Sequence, residues 1–294
     1  CRFTNMAWVG DQGFYYSRYP EPGTVAKEDE TNYCQVYWHQ LGTSQEEDVL
    51  IYDRPDAKEL SFSPSVTMDQ AYLVIHAFLG TDSRNGFYYK KLGSDESFIR
   101  LLEHGEAKYS FLGNEGSLFY FFTDLDAPQG RIICINIEQP AEEGWQEVVP
   151  EQKEVISTAR FIDGQFVIAF MHNAHALLRV YGMNGEMVSE VPLPTLGSIE
   201  GLSGKQNHKG LFVAFTSFLY PSVSFYYDLH TRKLTPFGKQ ELKFDADRYE
   251  TNQVFYPSKD GTEVSLFLVH KKGLKKDGNN PTLLYGYGGF NIAI

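Results

Sequence analysis

At 294 residues the chain is long enough for one large all-β domain or two ordinary ones, and with 42% apolar and 15% aromatic residues it can fill packed cores, which sets disorder aside. A net charge of −12 argues against nucleic acid or an anionic membrane surface as partner, since both reward clustered Lys and Arg. No apolar run approaches the roughly 20 residues that span a bilayer, and Cys1, Cys34 and Cys134 match no zinc spacing, so free thiols in a reducing, cytoplasmic compartment are expected.

Taken from the N-terminus, the chain repeats itself. An apolar residue closing a strand ahead of a polar turn recurs at Leu41, Leu92, Ile137, Met183 and Leu229, with spacings of 51, 45, 46 and 46. The aromatic that opens the preceding strand recurs at Phe14, Tyr72, Phe119, Phe166 and Phe212, and the two series keep step. Each unit divides into short strand candidates rich in β-branched and aromatic residues and bounded by Gly, Pro, Asp or Asn. One unit reads as strands at 71–78, 87–92, 98–102 and 107–112. The next reads as 117–123, 131–137, 145–149 and 155–162, and the third as 165–171, 176–181, 186–191 and a glycine-rich fourth segment from 197 to 204. Four strands in about 45 residues suit a β-propeller blade, whereas a β-sandwich would give short strands without the long period.

Past Phe237 the period lapses. Strands at 249–256 and 264–270 are joined across Pro257-Ser258-Lys259-Asp260-Gly261, a turn sequence, so a hairpin is expected. A basic, polar loop from 271 to 280 leads through Pro281 into a third strand at 282–285, and that strand runs into the glycine-rich stretch from Gly286 to Asn291. A hairpin followed by a buried strand and a glycine-rich turn is how an α/β-hydrolase core can open, with donors for a developing negative charge on the turn. The domain boundary falls near Asp245. No amphipathic helix is evident. The chain starts at Cys1 and stops three residues after Asn291, which reads as an internal piece of a longer enzyme.

No Gly-x-Ser-x-Gly elbow occurs, and Ser198 and Ser203 read as turn serines. His172 and His175 are three apart on a strand-to-loop segment, a spacing that does not put both on one face of a strand, and no carboxylate adjoins them in sequence. Glu46-Glu47-Asp48 and the lysines between Lys271 and Lys276 read as solvated turns. With no Walker loop and no Gly-x-Gly-x-x-Gly, neither a metal nor a cofactor is expected.

The stretch Val254-Phe255-Tyr256-Pro257-Ser258-Lys259-Asp260-Gly261-Thr262 continues through Val269-His270-Lys271-Lys272-Gly273 to Leu284-Tyr285-Gly286-Tyr287-Gly288-Gly289-Phe290-Asn291. It resembles the prolyl oligopeptidase family of S9 serine peptidases. The likeness reaches back through Phe215-Thr216-Ser217-Phe218-Leu219 and Tyr226-Tyr227-Asp228-Leu229 to Phe3-Thr4-Asn5-Met6-Ala7-Trp8. It implies a mainly β chain, with a partial seven-bladed β-propeller of about five blades over 1–245 and the first strands of an α/β-hydrolase domain over 246–294. The family's nucleophilic serine, aspartate and histidine would lie beyond Ile294, so this chain alone is expected to be inactive. The whole enzyme would be a monomeric endopeptidase cutting short proline-containing peptides on the carboxyl side of proline, with the propeller gating access.

The resemblance assigns roles to three positions. Tyr287 matches the residue whose phenol OH helps hold the oxyanion, a task that suits a neutral donor on a loop where glycines let the backbone come close. Phe290 matches a wall of the pocket near the proline ring, and Phe3 a propeller residue lining a more distal substrate position. The stretch from His76 to Thr81 departs from the family pattern by carrying Phe78 and Thr81, and no role is carried onto it. Two other readings stay open: an oligopeptidase B-like enzyme cutting after basic residues, against which Gly289-Phe290-Asn291 speaks, and a non-catalytic propeller that only binds partners.

Overall fold

The computed structural model describes residues 4–238 and 244–286. The chain divides into two compact units, residues 1–152 and 153–294. In the first unit, β1 (Met6–Val9), β2 (Gly13–Arg18), β3 (Gln35–Gln40) and β4 (Val49–Tyr52) form one sheet. A second consists of β5 (Leu60–Val66), β6 (Tyr72–Leu79), β7 (Asn85–Lys91) and β8 (Ile99–Leu102), and a third of β9 (Tyr109–Glu115), β10 (Leu118–Thr123), β11 (Arg131–Asn136) and β12 (Gln146–Val149). Each is an antiparallel meander whose strands pair in chain order.

These sheets are held face to face by alternation along their strands. Successive side chains of a strand point to opposite faces, so β6 sends Ile75 and Ala77 toward Val36 of the first sheet and Cys34 just before it while Val74 joins Phe119, Phe121 and Ile133 of the third. A sheet buried on both faces must be apolar on both, hence the nearly continuous run Leu73-Val74-Ile75. One polar staple crosses the same interface: the Asn85 side chain accepts from the Tyr109 N–H at 2.8 Å and donates to the Tyr109 carbonyl at 2.9 Å. Cys34 and Cys134 are buried free thiols, and burial pushes both above the ordinary thiol range, so neither is a ready thiolate.

The second unit continues the scheme with β13 (Val155–Ile162), β14 (Gln165–His172), β15 (His175–Gly182) and β16 (Met187–Val191) in one sheet. The next holds β17 (Ser198–Ser203), β18 (Gly210–Thr216), β19 (Val223–Asp228) and β20 (Lys233–Phe237). Val167, Ala169, Leu178 and Val180 of the former pack on Leu202, Leu211, Val213 and Tyr227 of the latter. The expected hairpin follows as β21 (Tyr249–Pro257) and β22 (Glu263–Lys271), with Tyr249 opposite Lys271. Among the described residues the only helices are short 3-10 turns.

The repeat read from the sequence has a hydrogen-bond basis. The N–H groups of Leu41, Leu92, Ile137 and Leu229 donate to the carbonyls of Gln12, Ala71, Ser117 and Lys209 at 2.9–3.0 Å, each extending the ladder between the second and third strands of its sheet at the end away from their connecting turn. The phase of the repeat differs from expectation by one strand. The segments at 107–112, 155–162 and 197–204 are not fourth strands of the units before them; they are β9, β13 and β17, the first strands of the sheets that follow. For β13 the cause is turn length: Asp163 and Gly164, both with positive φ, join it to β14 as a two-residue link that leaves no option but antiparallel pairing. The third strand expected at 282–285 pairs with nothing among the described residues, and Leu283 and Leu284 stand 90% and 82% exposed, because an extended segment becomes a strand only through ladder partners.

Candidate functional site

Tyr287, Phe290 and Phe3 lie outside the described residues, so their placement rests on the sequence. The chain next to Phe3 is firmly tied: Thr4 Oγ1 donates to the Ser17 carbonyl at 2.6 Å, and Asn5 Nδ2 donates to Ser63 Oγ at 2.7 Å, pinning the entry to β1 against both the first and second sheets. On the first sheet's outward face, Asp48, with a side chain only 1% exposed, accepts from the Tyr16 hydroxyl at 2.5 Å and lies 2.7 Å from His39 Nδ1. Asp48 was expected in a solvated turn. The structure corrects this: the acidic run folds into a 3-10 turn with Ser44 and Glu47 as a reciprocal capping box, which turns Asp48 inward.

The stretch from His76 to Thr81, to which no role was assigned, carries an aromatic group of its own. The His76 ring stacks on Phe78 at 6.2 Å and meets the edge of Phe87 at 5.2 Å. Burial alone pushes the imidazole down to about 4 from its ordinary 6.5, so it is neutral at pH 7. The sign of the linked stability follows. Between pH 6.5 and about 4 the unfolded chain binds a proton that the folded chain refuses, so stability is complete above 6.5 and falls toward pH 4, by up to about 3 kcal/mol and less where water reaches the ring. Urea midpoints measured at pH 7 and 4.5 are expected to drop more for the wild type than for His76→Phe, and equal drops would assign the acid sensitivity to other groups.

The histidines at 172 and 175 are a second correction. A turn of two residues separates them, so His172 and His175 are direct cross-strand partners on β14 and β15 with rings 5.3 Å apart, and cross-strand partners share a face. A carboxylate does stand beside them, 3.3 Å from His172 Nδ1: Glu154, brought in by β13. Partial burial raises the Glu154 carboxyl, but the Arg179 guanidinium at 3.2 Å outweighs it and holds the group below its ordinary value. Arg179 also binds Glu190 at 2.9 Å, so Glu154, Arg179 and Glu190 form an ion-pair network, whereas His175 Nδ1 is buried with no hydrogen-bond partner among the described residues, and no group of three metal-ligating side chains occurs among them.

The second unit has a cleft of about 370 Å³ between the β14–β15 turn, the start of β17, the end of β18 and β22. Ala174, Leu196, Phe218 and Phe267 give it an apolar wall, and Glu200 and Thr216 give it polar edges. Gly197 sets its floor, since a Cβ there would fall 2.2 Å from the Thr216 carbonyl and 2.5 Å from the Phe215 ring. Sequence reading missed this cleft: its walls come from segments far apart in the chain.

Four-stranded meanders repeated at about 46 residues and stacked through apolar faces define a β-propeller. The family model for the prolyl oligopeptidase N-terminal β-propeller domain matches residues 1–240, and the chain belongs to that family. It is 36% identical over 295 aligned positions to a prolyl endopeptidase of Elizabethkingia meningoseptica, and 31% identical to prolyl oligopeptidase A of Galerina marginata. Both alignments take in the whole of this chain, which spans only 41% and 42% of those relatives' lengths. Among solved structures, it is similar to one from a study of two prolyl endopeptidases and their inter-domain dynamics, with a TM-score of 0.85 and 32% identity over 99% of this chain and 43% of the other. It is also similar to Galerina marginata prolyl oligopeptidase B bound to a 35mer hydrolysis and macrocyclization substrate, with a TM-score of 0.84 and 26% identity over 98% of this chain and 42% of that one. No helix among the described residues is long and apolar enough to cross a membrane.

Proposed function

We propose that this chain supplies the propeller and the opening strands of a serine endopeptidase that hydrolyses short peptides after proline, with the propeller limiting access to the active site. The observation that carries the reading is that the likeness to prolyl endopeptidases runs the full length of the chain, past residue 240 and through the β21–β22 hairpin. In this reading the domain boundary lies at 245/246, Tyr287 donates to the oxyanion, and Phe290 and Phe3 offer flat apolar faces to the substrate. A nucleophilic serine, its histidine base and an orienting aspartate would follow in the catalytic domain, and the whole enzyme would act as a cytoplasmic monomer.

The test compares two polypeptides on chromogenic peptides ending in proline or in arginine. The 294-residue chain is expected to give no turnover, and the reading frame extended through a catalytic domain is expected to cut after proline and to be blocked by a serine-directed phosphonate. Turnover by the 294-residue chain that survives repurification and responds to the phosphonate would overturn the proposal. Cleavage by the longer protein after arginine alone would move the reading to the oligopeptidase B branch.

A further inference from the structure

β21 and β22 form a two-stranded sheet, and none of their residues is buried. Such a hairpin is marginal on its own in water, so contacts to other elements must seat it. Beside the local ring contact of Tyr249 with Phe244, two contacts among the described residues do so, and both come from a single rung. Gln253 and Phe267 are direct cross-strand partners, which puts their side chains on one face. From that face Gln253 Nε2 donates to the backbone carbonyl of Asn173 at the tip of the β14–β15 turn. The Phe267 ring packs on Phe218, in the turn after β18, with centroids 5.5 Å apart. Ala174, Phe218 and Phe267 all line the 370 Å³ cleft, so the two contacts flank it.

The receiving turn is unusual in its backbone. Asn173 and Ala174 both have positive φ, 46° and 65°. Asparagine tolerates the left-handed region, whereas the second place in such a turn usually goes to glycine. A glycine there would ease the backbone but remove the methyl that lines the cleft. A strained residue persists where its surroundings over-determine it, and here the hairpin is part of those surroundings.

We propose that the Gln253–Phe267 rung is a two-point latch that seats the β21–β22 hairpin on the turns of two neighbouring four-stranded sheets and closes the cleft beneath it. The latch stands on geometry alone. Its meaning as a tie between the propeller and the domain that begins at residue 246 rests on the reading under Proposed function.

Hydrogen exchange of the 294-residue chain tests it without any appeal to peptidase activity. The variants are Gln253→Ala and Phe218→Ala, and the second removes a ring that is already 48% exposed, so the sheets keep their cores. Each variant is expected to speed exchange across β21 and β22 on the order of fivefold, the loss of one net hydrogen bond or one ring pair, and both together by more. β13 to β20 should keep wild-type rates. Hairpin rates unchanged by either variant, or an equal rise across β13 to β20, would overturn the latch, the first because the contacts do not hold the hairpin and the second because the effect is a general loss of stability.

Discussion

Phe87→Ala is expected to destabilise the first unit by about 3–5 kcal/mol, a large part of the stability of an ordinary domain. Phe87 is fully buried on β7 and touches aromatic rings from two sheets: His76 on its own, and Phe111, Phe119 and Phe121 on the next, with centroids 4.9 to 6.1 Å away. Two of these contacts, with Phe119 and Phe121, are edge-to-face arrangements at 85° that a smaller side chain cannot replace. The cavity left by the ring opens at the interface between the second and third sheets, where Asn85 and Tyr109 are also clamped, so the strands that form the walls cannot close in without breaking that clamp. Urea denaturation followed by far-ultraviolet circular dichroism is the measurement. A midpoint within experimental error of the wild type would mean that the two sheets do not share a core in solution.

The architecture was legible because a blade's length is written into the chain. Strand pairs at a fixed separation make Leu41, Leu92, Ile137 and Leu229 recur, and each makes the same hydrogen bond at the open end of its pair. Which strand belongs to which sheet was harder to see, since the landmarks mark the second and third strands and say nothing of the first. The missing information was present in Asp163-Gly164, whose two residues leave β13 no partner but β14. The same reasoning applied to Asn173-Ala174 would have turned His172 and His175 from a pair on a strand-to-loop segment into facing partners.

Long-range side-chain contacts were not legible, and the reason is physical. Gln253 reaches Asn173 across 80 positions, and Phe218 meets Phe267 only because a turn after β18 and a hairpin strand come together. Composition and period constrain faces of strands, not which loop lies under which hairpin. Asp48 shows the same limit at short range. In sequence it is one of three adjacent acids, and only the 3-10 turn capped by Ser44 separates its buried carboxylate from its solvated neighbours. For Tyr287 and Phe290, which lie outside the described residues, the glycine-rich run offered only a pattern of adjacent residues to match, and the roles proposed for them rest on the family resemblance.

In the enzyme extended through its catalytic domain, Tyr287→Phe is expected to lower kcat by about 10²–10³ while leaving KM nearly unchanged. The change deletes one hydroxyl and preserves the ring, so packing is kept and only a donor is lost. Removing a single oxyanion donor costs about 2.7–4 kcal/mol of transition-state stabilisation, and a donor that engages the oxygen only once it carries negative charge contributes little to ground-state binding, so the loss falls on kcat. Gly286, Gly288 and Gly289 flank the tyrosine in sequence, and in the proposed reading their lack of a side chain would let the backbone come close to a reacting carbonyl. The His76 and Gln253 variants provide the contrast, since neither residue is assigned to the chemistry and neither should reproduce a loss confined to kcat. A kcat within twofold of the wild type for Tyr287→Phe would assign the tyrosine to packing at the end of the sheet, and the oxyanion would then have to be held by backbone N–H groups alone.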